Sequence, residues 1–256
     1  FAFTGNKFEF RMVGSEDSIG SPNTTLNAIV AEAFCEAADR LEKAEDFDLA
    51  VHDLIKEYMT KHQRIIFNGN GYSDEWVQEA ARRGLPNIAT MVEAVDTLTT
   101  DKAVKLFERF HIFTKAELES RVEILYETYA KTINIEALTM IDMASKQIIP
   151  AVISYTKELA EAVVYVMKAG LDASVQRELL ERVNGHLKEM QEALAVLQQA
   201  ESTARAMKPG KDQAFFYKDE VKTAMEALRV PADKLEVLVD KKVWPFPTYA
   251  DLIFEV

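Results

Sequence analysis

Three charged side chains near the start of the sequence have the types and spacing of a binding site. In the stretch 5–13, which reads GNKFEFRMV, apolar and polar residues alternate with the period of two that is typical of a half-buried β-strand. Lys7, Glu9 and Arg11 would therefore share one face of that strand. A carboxylate between two cations stays ionised and is a ligand for hard divalent metals, while the flanking cations suit phosphate or carboxylate groups. This face predicts a metal and anion site.

The same alternation has a simpler interpretation. An exposed strand face often carries charges of both signs, and these pair locally for little free energy. The residue types and their spacing alone leave both interpretations open.

The stretch and the sequence after it resemble the end of the catalytic domain of the glutamine synthetases. That family has a strand of the form basic-x-Glu-x-Arg, followed by an Asn/Pro turn and an Ala-rich helix. Here the strand reads KFEFR from Lys7 to Arg11, and the turn reads SPN from Ser21 to Asn23. The sequence FAFTGNKFEFRMVGS at 1–15, and nearly all of the chain after it, is similar to the type III branch of the family.

The resemblance implies a role for each charged residue of the strand. Glu9 would be a ligand of an active-site Mg²⁺ or Mn²⁺. Arg11 would be a catalytic residue that binds the substrate glutamate, and Lys7 would lie near the nucleotide phosphates as a cofactor-binding residue. Other branches often have Arg at the position of Lys7, and an ammonium does not offer the same planar fork of donors.

The resemblance also implies an activity, the ATP-dependent ligation of ammonia to glutamate through a γ-glutamyl phosphate, and a homo-oligomeric enzyme. Phe1-Ala2-Phe3-Thr4 leads almost directly into the strand, and a strand needs neighbours, of which this chain offers few. We therefore expect the chain to be the C-terminal part of a longer protein that supplies the rest of the sheet. We expect this part alone to be inactive.

Composition limits the classes of partner. The chain has 256 residues and a net charge of −12, and no basic run offsets that charge, which argues against a nucleic-acid binder or an anionic-membrane binder. Its single cysteine, Cys35, excludes an internal disulfide framework and a Cys-rich zinc site. No apolar run approaches the length of a membrane span and no signal peptide is recognisable, so we expect a cytoplasmic protein.

The predicted fold is mainly α. It comprises one strand and one helix that end a glutamine-synthetase-type catalytic α+β domain, followed by a helical C-terminal region with a long antiparallel hairpin. The predicted divisions are the end of the catalytic domain at 1–43, a region of short helices at 44–113, the long hairpin at 114–208, and C-terminal helices with an aromatic tail at 209–256.

Four signals predict the hairpin. Thr114 and Glu117 form a capping box that starts the first arm. Pro150 predicts a kink or break in that arm, and Gly170 predicts its end. The second arm carries an apolar stripe with heptad spacing: Leu180, Val183, Leu187, Met190, Leu194 and Leu197.

Other groups that could do chemistry have simpler interpretations. The histidines are not spaced as metal ligands, and Cys35 is expected to be a small residue on an apolar helix face. The glutamates of the first arm have no Glu-x-x-His partner, so a solvated face is expected there. The Asn-Gly loop at 68–71 lacks the spacing of a phosphate-binding loop. The side chains concerned are His52, His62, His111, His186, Glu123, Glu127 and Glu136.

A second functional interpretation belongs to another class. The heptad stripe and the long hairpin are also typical of a non-enzymatic helical scaffold or oligomerisation module. Such a module would tolerate neutral residues at Lys7, Glu9 and Arg11, whereas an active site would not.

Overall fold

The computed structural model describes residues 2–3, 8–9, 18–247 and 249–254. Its described residues are mostly helical, which confirms the mainly α fold class. Among the described helices, none combines the length and the apolar composition needed to cross a membrane. The chain divides into two compact units, a first unit of Phe1–Ala89 with Thr97–Leu118 and a second unit of Thr90–Asp96 with Glu119–Val256.

The first unit begins with two short strands and continues with helices. The strands β1 and β2 pair antiparallel, with Ala2 opposite Glu9 and Phe3 opposite Phe8. The elements that begin in this unit are β1 (Ala2–Phe3), β2 (Phe8–Glu9), α1 (Gly20–Leu41), α2 (Phe47–Lys61), α3 (Asp74–Arg82), α5 (Asp101–Arg109) and α6 (Lys115–Met143).

The second unit contains most of α6 and a short helix, α4, from the segment Thr90–Asp96. Helix α4 comprises Met91–Val95. The other elements of this unit are α7 (Ile149–Lys168), α8 (Ser174–Ala206), α9 (Lys211–Phe216), α10 (Lys222–Leu238) and α11 (Tyr249–Phe254). Helix α8 packs against both α7 and α10.

Several predicted helix ends are confirmed. The Thr114 amide donates to Glu117 Oε2 at 2.8 Å and the Glu117 amide donates to Thr114 Oγ1 at 3.3 Å, which is the reciprocal pattern of a capping box. Gly170 adopts φ 77°, the left-handed conformation that ends a helix. A serine before a helix also predicts a cap, and Ser73 Oγ accepts from the Trp76 amide at the start of α3.

Other boundaries differ from the prediction. Asn23 and Thr24 are residue types that predict a helix cap, but α1 begins at Gly20 and has no side-chain cap. The proline at 231 predicts a break in the helix, but Pro231 lies inside α10. A proline removes one backbone donor, and burial of Pro231 with Leu228 and Leu235 offsets that loss.

Pro150 does not break the first long arm. A π-helical turn at Ala144–Ile148 joins α6 to α7, and the Ile149 amide donates to the carbonyl of Ala144, five residues back. Widening the turn by one residue accommodates the proline ring and its missing donor, so the helix continues.

The core of the second unit is formed by residues of α6, α7, α8 and α10 together with the π-helical turns. From Val183 to Leu197 the predicted heptad stripe lies in this core, where Val183, Met190 and Leu197 are completely buried. Leu180, the first residue of the stripe, is partly buried and lies outside this cluster. The tail contributes Trp244, which is 8% exposed and packs into the same core. The helix α11 that follows was not predicted.

Candidate functional site

The predicted site strand is described only in part. Glu9 lies in β2 and pairs with Ala2 of β1, so its backbone is extended as the alternating pattern predicted. Lys7 and Arg11 lie outside the described residues. The roles of all three side chains therefore stay predictions.

The helix that follows the strand has one buried residue among those described, Ala28. Its larger apolar side chains are largely exposed, with Ile29 at 50%, Val30 at 46% and Phe34 at 71%. An amphipathic helix gains most of its stability from packing an apolar face. Much of the apolar surface of α1 is therefore left uncovered by the described part of the first unit.

A groove of about 800 Å³ lies within the first unit, lined by α1 and α5. At its wall, Arg109 Nη1 donates to Glu32 Oε1 at 2.7 Å, and this ion pair raises the pKa of Arg109. The second oxygen, Glu32 Oε2, is buried and accepts no hydrogen bond from the described residues. An arginine held to a carboxylate is a structural link between helices and does not transfer protons at neutral pH, because the guanidinium stays charged.

The second unit holds a polar network that the sequence did not reveal. Tyr126 Oη and Lys211 Nζ each donate to Asp96 at 2.5 Å, one to each carboxylate oxygen. Hydrogen bonds from Lys211 and then from Tyr126 hold the pKa of Asp96 below its usual value. Burial, and then the bond to Asp96, raise the pKa of Tyr126.

A second ion pair extends this network. Lys218 Nζ donates to Glu93 Oε1 at 2.9 Å and lies 3.0 Å from Asp219 Oδ1. The ring of Phe215 lies between the two lysines, with Lys211 Nζ 5.7 Å and Lys218 Nζ 5.3 Å from its centroid. Partners so distant in sequence give no local signal, so only the fold could reveal the network.

The other candidates take structural roles where the structure describes them. His186 Nδ1 lies 2.9 Å from Glu189, one turn along the same helix, and His52 lies 3.5 Å from the neighbouring Asp53. Glu127 pairs with Lys131 on the exposed face of α6, as the prediction of a solvated face requires. Within the described ranges, no group of three or more His, Cys, Asp or Glu side chains could hold a metal ion.

Comparisons with known proteins bear on the whole chain. Residues 50–167 match the family model of the glutamine synthetase C-terminal domain. The chain is 36% identical to the type-3 glutamine synthetase of Dictyostelium discoideum, with 99% of the chain aligned. It is 35% identical to the glutamine synthetase of Butyrivibrio fibrisolvens over 100% of the chain, and 33% identical to that of Bacteroides fragilis over 99%.

The chain spans 36–37% of the length of these relatives. The resemblance predicted from the KFEFR strand and the sequence after it is confirmed: over nearly its whole length, this chain is similar to proteins named glutamine synthetase, one of them as type 3.

Proposed function

We propose that this chain is the C-terminal part of a glutamine synthetase that ligates ammonia to glutamate with ATP through a γ-glutamyl phosphate. The observation that carries the proposal is identity of 33–36% over at least 99% of the chain to proteins named glutamine synthetase. Because the chain spans little more than a third of those relatives, the activity belongs to a longer protein. The chain alone is expected to be inactive.

The strand supplies the charged groups in this proposal. Glu9 is a metal ligand, Arg11 binds the glutamate carboxylate as a catalytic residue, and Lys7 contacts the nucleotide phosphates. A strand places residues 7, 9 and 11 on one face at a spacing of about 7 Å. That spacing suits a substrate that presents a carboxylate and a phosphate to neighbouring side chains.

The metal site needs ligands from beyond the described residues. A hard divalent cation takes about six oxygen ligands, and the described residues contain no cluster of three candidate ligands. Glu9 therefore contributes one carboxylate at most to a site for Mg²⁺ or Mn²⁺. When bound, such an ion polarises phosphoryl oxygens and offsets their charge.

The helical region serves packing and assembly in this proposal. The intact protein is expected to be a cytoplasmic homo-oligomer that acts on small molecules, with no nucleic acid or membrane as partner. The alternative, an oligomerisation module built on the heptad stripe, is weakened by the fold. Four of its six residues, Val183, Met190, Leu194 and Leu197, are buried inside the second unit, so most of the stripe is not free to pair with another chain.

The test is the variant Glu9→Gln in the intact protein. It removes the charge at nearly constant shape, and we expect loss of Mg²⁺-dependent glutamine formation by about a hundredfold or more with unchanged thermal unfolding. Glu45→Gln, in an exposed turn of the same unit, is the matched control and should retain activity. Activity of Glu9→Gln within about twofold of the wild type would refute the metal role.

A further inference from the structure

The dipeptide Asn-Gly occurs three times in the chain, in three different backbone settings. Asn68-Gly69 and Asn70-Gly71 follow one another in the exposed loop between α2 and α3. Asn184-Gly185 lies in the middle of α8. Because the sequence is the same in each pair, any difference in their chemistry must come from the structure.

Asn-Gly is the sequence in which an asparagine side chain is most open to attack by its own backbone. The amide nitrogen of the glycine attacks Cγ of the asparagine, a new N–Cγ bond forms, and the Cγ–Nδ2 bond breaks. Nδ2 leaves as ammonia and carries away the proton of the glycine nitrogen. Water then opens the resulting succinimide at either carbonyl and leaves aspartate or isoaspartate. Glycine favours the attack because it has no side chain to block it and its backbone rotates freely.

In the loop around Asn68, no hydrogen bond from the described residues hinders this reaction. Asn68 is exposed, and neither its side chain nor the Gly69 amide makes a hydrogen bond within the described part of the chain. The backbone just before it is anchored, since Arg83 Nη1 donates to the carbonyl of Ile66 at 2.7 Å and the Phe67 ring stacks on Trp76 at 4.1 Å. The part of the loop without hydrogen bonds is therefore the reactive pair itself.

Asn70 is held in a different way, although it lies only two residues further along the loop. Its Oδ1 accepts from the Tyr72 amide at 3.1 Å. Its carbonyl accepts from both the amide and the hydroxyl of Ser73. These bonds fix the side chain and the backbone torsion that must rotate before Gly71 can attack.

Asn184 is protected more strongly. The Gly185 amide belongs to the hydrogen-bond ladder of a helix of 33 residues. The attacking nitrogen becomes available only when that part of α8 opens, and such opening carries a free-energy cost.

We propose that Asn68 is a site of spontaneous deamidation, and that the folded structure protects Asn70 and Asn184 from the same reaction. The product carries one more negative charge in the loop. In the isoaspartate form, the main chain also gains an atom next to Gly69. A Cβ built on Gly69 would come within 2.5 Å of the Phe67 ring, so the ring lies close to the atom that this step would add to the main chain.

The test incubates the full-length native protein at neutral pH and again at mildly alkaline pH. Acidic digestion and mass spectrometry then count amide-to-acid conversion at each asparagine. Asn68 should convert at least about tenfold faster than Asn184, which corresponds to about 1.4 kcal/mol of local opening free energy. It should also convert before Asn70. Alkaline pH should speed the reaction, because the attacking nitrogen must lose its proton.

Two controls separate structure from sequence. Asn68→Gln should abolish the fast conversion in the loop peptide, while Asn70→Gln should leave it unchanged. In denaturant, where all three pairs are unstructured, their rates should become similar. Conversion at Asn184 as fast as at Asn68 in the native protein would overturn the proposal, and so would fast conversion in the Asn68→Gln variant.

Discussion

At the scale of single residues, Asp96 shows how the structure creates chemistry that the sequence does not reveal. Its carboxylate accepts from Tyr126 on α6 and from Lys211 on α9. The three residues lie far apart in sequence, so no spacing rule could join them. The predicted site shows the opposite case, because Lys7, Glu9 and Arg11 are neighbours in a local pattern and could be proposed from the sequence.

The Asp96 network predicts a pH dependence of stability. The pKa of Asp96 is lower in the folded protein than in the unfolded chain, so the unfolded chain binds the proton more tightly. The stability that this carboxylate contributes is therefore present above the unfolded pKa of about 3.9 and is lost as pH falls through the lower, folded value.

The variant Lys211→Met removes the largest cause of that shift and keeps the aliphatic contact with Phe215. At neutral pH it should cost about 1 kcal/mol or less, because the side chains of Lys211 and Asp96 are 53% and 42% exposed. Thermal unfolding at several pH values should show a smaller loss of stability on acidification than in the wild type. Lys188→Met, at an exposed pair on α8, is the control. An equal acid response in Lys211→Met and wild type would refute the role of Lys211.

At the scale of elements, α8 shows both what the heptad pattern can predict and where it stops. The apolar stripe from Leu180 to Leu197 predicted a buried face, and the core contains it from Val183 onward. The same spacing continues through Glu201 and Ala204, which are 4% and 0% exposed. The prediction ended at Leu197 because a glutamate is normally assigned to the surface. Burial of a charge depends on tertiary packing that a periodic pattern does not contain.

The two differences from prediction that involve a proline, at Pro150 and Pro231, share one cause. A proline in the sequence indicates a missing backbone donor, but whether the helix ends there depends on whether the local backbone geometry and packing compensate for the lost hydrogen bond. At Pro150 a π-helical turn accommodates the missing donor, and at Pro231 the helix continues through a buried position. Caps set by side chains near in sequence, such as Thr114 with Glu117, could be predicted because the whole interaction is local.

Glu201 provides a prediction at this scale. Its Oε1 is buried and accepts no hydrogen bond from the described residues, although Arg205 Nε lies 3.4 Å away. A buried carboxylate without a complete set of partners destabilises the fold, and leucine has the shape that the heptad position favours. Glu201→Leu should therefore stabilise the protein by about 1–2 kcal/mol, as measured by chemical denaturation.

A substitution of the opposite kind, from an apolar to an acidic side chain, supplies the control for Glu201→Leu. Leu197→Glu places a carboxylate one turn earlier on the same stripe, at a completely buried position, and should cost about 3 kcal/mol or more. Destabilisation by Glu201→Leu would show that the carboxylate is favourably held, and would contradict the prediction.

At the scale of the whole molecule, the two units differ in how much apolar surface they bury. The main core of the second unit comprises twenty buried residues. In the first unit, the buried hydrophobic residues among those described are Ala28, Leu54, Val104, Phe107 and Leu118. Its helices α1 and α2 expose large side chains instead, including Phe34 at 71% and Phe47 at 59%. The second unit should therefore carry most of the stability of the isolated chain.

Hydrogen exchange measured by mass spectrometry tests this difference. In residues 1–256 expressed alone, amides of α1 and α2 should exchange much faster than those of α8 and α10, because local opening is less costly where few apolar contacts are buried. In the intact protein proposed above, the same α1 and α2 amides should become protected as further protein covers their apolar faces, while α8 and α10 should change little. Equal protection of both units in the isolated chain would show that the first unit is stable by itself. It would also remove the reason to expect a covering partner for α1.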